Sequence, residues 1–163
     1  MSALMKLMVQ QEEKAVHTNK SAKKRFDFSV LKNIHGSVLL VDRDRTVCIL
    51  KWQGRVDKET ASELLTLSAA AVKLDGHTKM LIDRRGLIEF DNEARIWIDS
   101  WIRTKAKSMF TGINKIAIIN SDTPFGSIFN NSFNSTITTV FPQIEVRILV
   151  HGTKALEWLK SQT

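Results

Sequence analysis

The strongest constraint on the fold is an alternation in the chain. Short runs of β-branched and apolar residues are separated by longer stretches whose apolar residues recur at helical spacing. The runs "SVLLV" (37–41), "TVCILKW" (46–52), "KMLID" (79–83), "NKIAIIN" (114–120) and "IEVRILV" (144–150) predict strands. The polar "DRDR" between the first two predicts a hairpin turn. The second run is almost continuously apolar, as expected of a strand covered on both faces. "DKETASELLTLSAAAVKLDG" predicts a helix with Asp57 as N-cap and Gly76 as its stop, and Ala61, Leu64, Leu65, Ser68 and Val72 on its inner face. "DNEARIWIDSWIRTKAKSMFTG" predicts a second helix, with the stripe Ala94, Trp97, Ile98, Trp101, Ile102 and Met109 ended by Gly112. "SDTPFGSIFNNSFNSTITTVF" predicts a third, capped by Asp122 or Thr123 with Pro124 in its first turn and weakened by Asn and β-branched residues. "TKALEWLKS" predicts a short closing helix. Strands that alternate with helices need crossover connections. The expected class is therefore α/β: a mixed, mostly parallel sheet with an N-terminal hairpin, flanked by about four helices.

With 163 residues, 43% of them hydrophobic and 25% charged, the chain is expected to form one globular unit over residues 31–163, behind a basic arm at 1–30. The arm carries Lys6, Lys14, Lys20, Lys23, Lys24 and Arg25 against Glu12 and Glu13, within a net charge of +7. Such an arm could steer towards nucleic acid or an anionic surface. "KSAKKRF" lacks the interleaved aromatics or Arg repeats of a dedicated binder, so it reads as a solvated tail and no specific nucleic-acid partner is expected. The opening "MSALMKLMVQQEE" is broken by Lys6 and too short for a signal peptide. No window approaches the roughly 18 apolar residues that would span a bilayer, so the expected address is the cytoplasm. Cys48 is the only cysteine, which excludes an internal disulfide and a cysteine-rich zinc site, and its apolar surroundings suggest a buried hydrophobe.

No catalytic constellation stands out. His17, His35, His77 and His151 show no metal-binding spacing, and the seven glycines are scattered singly rather than gathered into a phosphate loop. There is no G-x-S-x-G elbow. Asp83, Glu89 and Asp91 invite comparison with a carboxylate pair, but caps and helix-dipole partners are the commoner use of such residues. Trp97, Trp101 and Trp158 fall at core spacing. The expectation is a non-enzymatic protein with no catalytic residue, no metal and no cofactor.

Two stretches remain, "GRVDKETASEL" (54–64) and "IDRRGL" (82–87). In this order, separated by a helix and a strand, they resemble the sulfate-transporter and anti-sigma-factor-antagonist (STAS) domain. That family's G-x-L-D-x-x-T-A-x-x-L pattern is matched by Gly54, Val56, Asp57, Thr60, Ala61 and Leu64. Where the family has D-S-S-G-L, this chain has Asp83, Arg84, Arg85, Gly86 and Leu87. The closing "VRILVHGTKALEWL" is similar to the final strand and helix of the bacterial SpoIIAA-like branch, so the element order agrees over residues 37–160.

The resemblance implies a regulatory domain that works by binding a protein partner, with Gly54, Asp57 and Thr60 as structural motif residues. In the anti-sigma antagonists a serine of the D-S-S-G loop accepts phosphate. Both positions are arginine here, so that chemistry does not carry over. Asp83, Arg84, Arg85 and Gly86 are instead expected to form a partner- or anion-binding loop. Asp83 would end the strand, Gly86 would permit the turn, and the arginines would donate charge-assisted hydrogen bonds to a phosphate, carboxylate or acidic patch. The same arginines can equally be solvated or paired with Glu89 and Asp91. SpoIIAA-like domains are also similar in fold to lipid-transfer proteins. An apolar or lipid-like ligand is thus the second reading, with helix 91–111 and Phe125, Phe129, Phe133 and Phe141 as pocket wall or as ordinary core. Self-association is left open.

Overall fold

The computed structural model describes residues 26–162, with the backbone alone over residues 124–129. The arm up to residue 25 and the side chains of Phe125 and Phe129 therefore lie outside the described residues. The elements run β1 (Phe28–Ile34), β2 (Ser37–Asp42), β3 (Val47–Val56), α1 (Lys58–Asp75), β4 (Lys79–Phe90), α2 (Asn92–Trp101), β5 (Lys115–Ile119), α3 (Pro124–Val140), β6 (Glu145–Leu149) and α4 (Gly152–Lys160). Helix α2 continues through a π-helical turn at Ile102–Ala106 and closes at Lys107–Met109. The six strands form one sheet in chain order. β1–β2 and β2–β3 are antiparallel, whereas β3–β4, β4–β5 and β5–β6 are parallel. This is the α/β class, with the mixed and mostly parallel sheet and the four helices read from the alternation.

β1 is a strand that the sequence reading did not place. "FSVLKNI" mixes apolar and polar residues at an exposed edge, so it lacks the apolar density that marked the inner strands. It joins β2 through His35 and Gly36, both at positive φ (51° and 89°), as a two-residue hairpin of right-handed twist requires. The turn read from "DRDR" is present between β2 and β3. Asp42, 2% exposed, closes it by accepting from the Thr46 and Val47 backbone N–H groups (2.7 and 3.0 Å) and from the Thr46 hydroxyl (2.7 Å).

Right-handed crossovers between successive parallel strands place α1, α2 and α3 on one face of the sheet. There Cys48, Leu50, Met80, Ile82, Ile116 and Ile118 meet Leu64, Ile98, Trp101 and Ile137. α4 follows the last strand without a crossover and packs Ala155 and Leu159 on the other face, against Val47, Ile49, Leu81, Ala117 and Ile119. Alternate residues of the inner strands are thus buried on opposite sides, which explains their unbroken apolar runs. Cys48 is fully buried, and burial pushes its thiol up to about 12, so it acts as a small hydrophobe. Trp97 stacks on Trp101 (5.8 Å between centroids) at the edge of the first core.

Gly54, Asp57 and Thr60 of the first motif each have a local structural use. Gly54 adopts φ +69°, where a side chain is strained, next to a register shift between Gly54 and Arg55. Asp57 caps α1 by accepting from the Thr60 N–H (2.8 Å), and Thr60 is buried behind it. Gly76 ends the helix in the left-handed region (φ 75°). Replacing the cap, Asp57→Ala, is expected to lower unfolding free energy by about 1 kcal/mol in a urea titration without altering the native circular dichroism.

Candidate functional site

The second motif lies where β4 outruns its neighbour. β4 pairs with β5 only from Lys79 to Asp83, but stays paired with β3 as far as Phe90. The expectation that the strand stops at Asp83 is therefore corrected. Asp83, Arg84, Arg85 and Gly86 belong to a strand, and the next helix begins only after Asp91, which caps it through the Ala94 N–H (2.7 Å). The start of α2 thus lies six residues or more beyond the two arginines. The interruption that the sequence suggested is real but takes another form. Between Asp83 and Gly86, β4 carries one residue more than the facing Lys51–Gln53 of β3, and a second extra residue lies between Leu87 and Glu89. Such bulges re-aim side chains without ending the strand.

Strand alternation sends the two arginines to opposite faces of the sheet. Arg84 points to the α1–α3 face and is fully buried. Its Nη2 donates to the Asn120 Oδ1 (2.5 Å) and the Asn134 Oδ1 (2.8 Å), and its guanidinium lies 4.7 Å from the centre of the Phe133 ring. Burial pulls its pKa down to about 10, which keeps it cationic at neutral pH. Arg85 points to the α4 face with its side chain 48% exposed, and its guanidinium lies beside Gly152 at the start of α4. Its Nε and Nη2 donate to the two oxygens of Asp83 (3.0 and 2.7 Å), and its backbone N–H donates to Asp83 Oδ1 as well (3.1 Å). The partner of Arg85 is therefore Asp83, whereas Glu89 pairs with Arg55 (3.0 Å) and Asp91 serves as a cap.

Asp83 itself is 4% exposed. Burial alone would raise its pKa, but the hydrogen bonds and charge of Arg85, with Lys51 further off, hold it below the usual carboxylate range. Gly86 does not turn the chain at positive φ as expected. Instead, a Cβ there would crowd the Trp52 carbonyl oxygen at 3.2 Å and the side chain of Gln53. Gly86 permits a close approach of strands rather than a turn.

A polar cluster lies beyond the end of β5, and the sequence reading missed it. The Ser121 hydroxyl donates to the Leu87 carbonyl (2.9 Å), taking the place of the β5 ladder there. Asn130, 4% exposed, donates through Nδ2 to the Ser121 carbonyl (3.1 Å). Asn130 and Asn134 stand four apart on α3 and so share one of its faces, and that spacing was the available signal.

The uncovered end of β4, α2 and α3 enclose a groove of about 840 Å³. Leu87, Ile88, Phe90, Ile96, Ile102 and Phe133 supply its apolar lining, and Ile88 and Ile96 are 51% and 63% exposed. Arg95, Glu89 and Asp99 bring charge to it, but Glu89 and Asp99 are already paired, with Arg55 and Arg103 respectively. The tryptophans proposed as pocket wall do not line it; Trp101 is core. Among the described residues no group of three metal-ligating side chains occurs, and no helix is long and apolar enough to cross a membrane.

No family model and no curated protein matches the chain. Solved structures do. One is an uncharacterized protein of the DUF3478 family with a SpoIIAA-like fold from Shewanella loihica PV-4. It is 16% identical, with a TM-score of 0.47 over 86% of this chain and 99% of that one. Another is the anti-sigma factor antagonist SpoIIAA in its unphosphorylated form, 9% identical, with a TM-score of 0.49 over 83% of this chain and 99% of that one. Both likenesses concern the fold alone.

Two outcomes follow for this region. Arg84→Ala removes the donor that holds Asn120 and Asn134, and should cost about 3 kcal/mol in chemical denaturation. The lowered pKa values of Asp83 and Asp42 set a direction with pH. For Asp42 too, burial alone would raise the pKa, but hydrogen bonds from Val47 and Thr46, with Lys160, hold it down. Stability from both groups is complete above about pH 4 and is lost as pH falls through the lowered folded-state values. Asp83→Asn should therefore show a smaller drop in melting temperature between pH 5 and pH 3 than the wild type, read by circular dichroism.

Proposed function

We propose that this protein is a non-enzymatic regulatory domain that recognises a protein partner at the outer end of β4. The observation that carries this reading is the Asp83–Arg85 pair. A buried carboxylate fixes the orientation of a half-exposed guanidinium, and among the described residues Nη1 of Arg85 donates to no protein group. An arginine held in this way has lost its rotamer freedom before the partner arrives, so its remaining donors bind at a lower entropic cost. The fitting chemistry is a carboxylate or phosphate on an acidic segment. Arg84 has a positioning part: it ties α3 to the sheet and contributes no contact of its own. In the family that the motifs resemble, the corresponding loop carries the phosphate-accepting serine. With Arg84 buried behind it and Arg85 at the surface, this segment would read an anion instead of receiving one.

The comparison to make is a pull-down with the wild type, Arg85→Glu and the distant surface variant Lys73→Glu as baits. A partner captured by wild type and Lys73→Glu but lost at least about tenfold with Arg85→Glu supports the reading. Equal capture by all three, with all three folded, removes Arg85 from the contact.

The groove favours a second reading, a small apolar or lipid-like ligand. Its volume lies within the range of ligand pockets, and its lining is predominantly apolar. Native mass spectrometry of protein purified from cells is expected to show an added mass that Ile96→Glu abolishes; a bare mass for the wild type would eliminate this reading.

A further inference from the structure

Among the described residues the sheet has two open edges, and they are built differently. β1 is interrupted by a register shift between Val30 and Lys32, and Lys32 projects a charge there, bound to Glu63 at 2.7 Å. A bulge and a lysine are the usual means by which an edge strand resists pairing with another chain. β6 has neither. It pairs with β5 in unbroken register and contains no lysine or proline; Ile148 within it and Val150 just beyond it are 56% and 76% exposed.

From the edge of β6 we infer that it is the interface between two copies of this chain, joined antiparallel about Ile148 so that the sheet continues from one copy into the next. The hydrogen-bonding parity fits. The Glu145 N–H donates inward to the Asn114 carbonyl (3.0 Å), so by strand alternation the N–H and C=O groups of Val146 and Ile148 point outward from the sheet. β6 itself spans Glu145–Leu149; the chain bends at Val150 and is extended again at His151 (φ −114°, ψ 134°), so the ladder centres on Arg147–Leu149 with Val150 at its margin.

Side-chain pattern selects both the partner and the register. With Ile148 opposite Ile148 of the second copy, Val150 falls opposite Val146, and the exposed apolar groups cover one another on the α1–α3 face. On the α4 face Arg147 falls opposite Leu149, and Glu145 opposite His151. A register centred on Arg147 would set that cation against itself. One centred on Val146 would leave Val150 uncovered. The segment is thus complementary to itself about one residue, as a two-fold interface demands. This inference does not depend on Arg85 or on the groove.

Sedimentation equilibrium of the full chain tests it. The wild type should move to twice the monomer mass as concentration rises. Ile148→Lys and Val150→Lys should each weaken association at least about tenfold. Ile148→Pro, which removes an N–H that β5 does not use, should abolish it. Val30→Lys on the opposite edge should leave it unchanged. Val150 is so exposed that its variant has no route to unfolding the monomer, which keeps the test decisive if Ile148→Pro folds poorly. A wild type that stays monomeric at the highest concentration overturns the inference. So does a dimer that survives Ile148→Lys and Val150→Lys, or one that Val30→Lys disrupts.

Discussion

The geometry of the candidate site depends on an inequality of length. β4 has twelve residues and its parallel neighbour β5 has five, and the two start together at Lys79 and Lys115. Beyond Asp83 the β5 side of β4 has no strand to satisfy it, and buried backbone polar groups cannot stay unmatched. Ser121 takes over the Leu87 carbonyl, and Asn120 and Asn134 meet the guanidinium of Arg84. The polar cluster, the seating of α3 and the groove all follow from how this overhang is completed. A β5 longer by a few residues would fill the groove and displace the asparagines.

Two successive arginines at that overhang do opposite work. A buried guanidinium is tolerated only with good partners, and the carboxamide oxygens of Asn120 and Asn134 and the Phe133 face are among those that meet Arg84. One residue further on, Arg85 sits two positions from Asp83, on the same face of the strand, so their pairing needs no change of backbone. Strand alternation permits both arrangements side by side. The result is a rigid interior anchor directly behind a surface charge of fixed orientation.

The parts of the fold governed by local periodicity are legible in the sequence. The apolar runs of β3, β4 and β5 are strands covered on both faces, and Asp57, Gly76 and Asp91 act at helix ends as their side chains and φ angles allow. β1 was not legible because an edge strand with one solvated side needs little apolar residue density. The end of β4 was misread because charge at 83–85 looks like a loop when strand pairing is unknown. Nothing local to Lys51–Gln53 announces that it faces a longer segment, so neither bulge could be read in advance. The same limit hid the fate of the arginines. Which of two adjacent cations is buried depends on asparagines 36 and 50 residues away, a relation made only by tertiary packing.

The strand order carries a consequence for how the molecule assembles. Each strand lies beside the one that precedes it in the chain, so each pairing closes a loop no longer than one connection, and the entropic cost of closure stays modest. A chain emerging from its N-terminal side can add β2 to β1, β3 to β2 and onwards, and α1 to α3 cover their face as they appear. The opposite face has a different history. Val47, Ile49, Leu81, Ala117 and Ile119 are all in place before α4, the last described helix, arrives to cover them. During that interval a nearly complete sheet presents a bare apolar surface, the kind of intermediate most prone to stick to others of its kind. Closing it falls to nine residues, Gly152–Lys160.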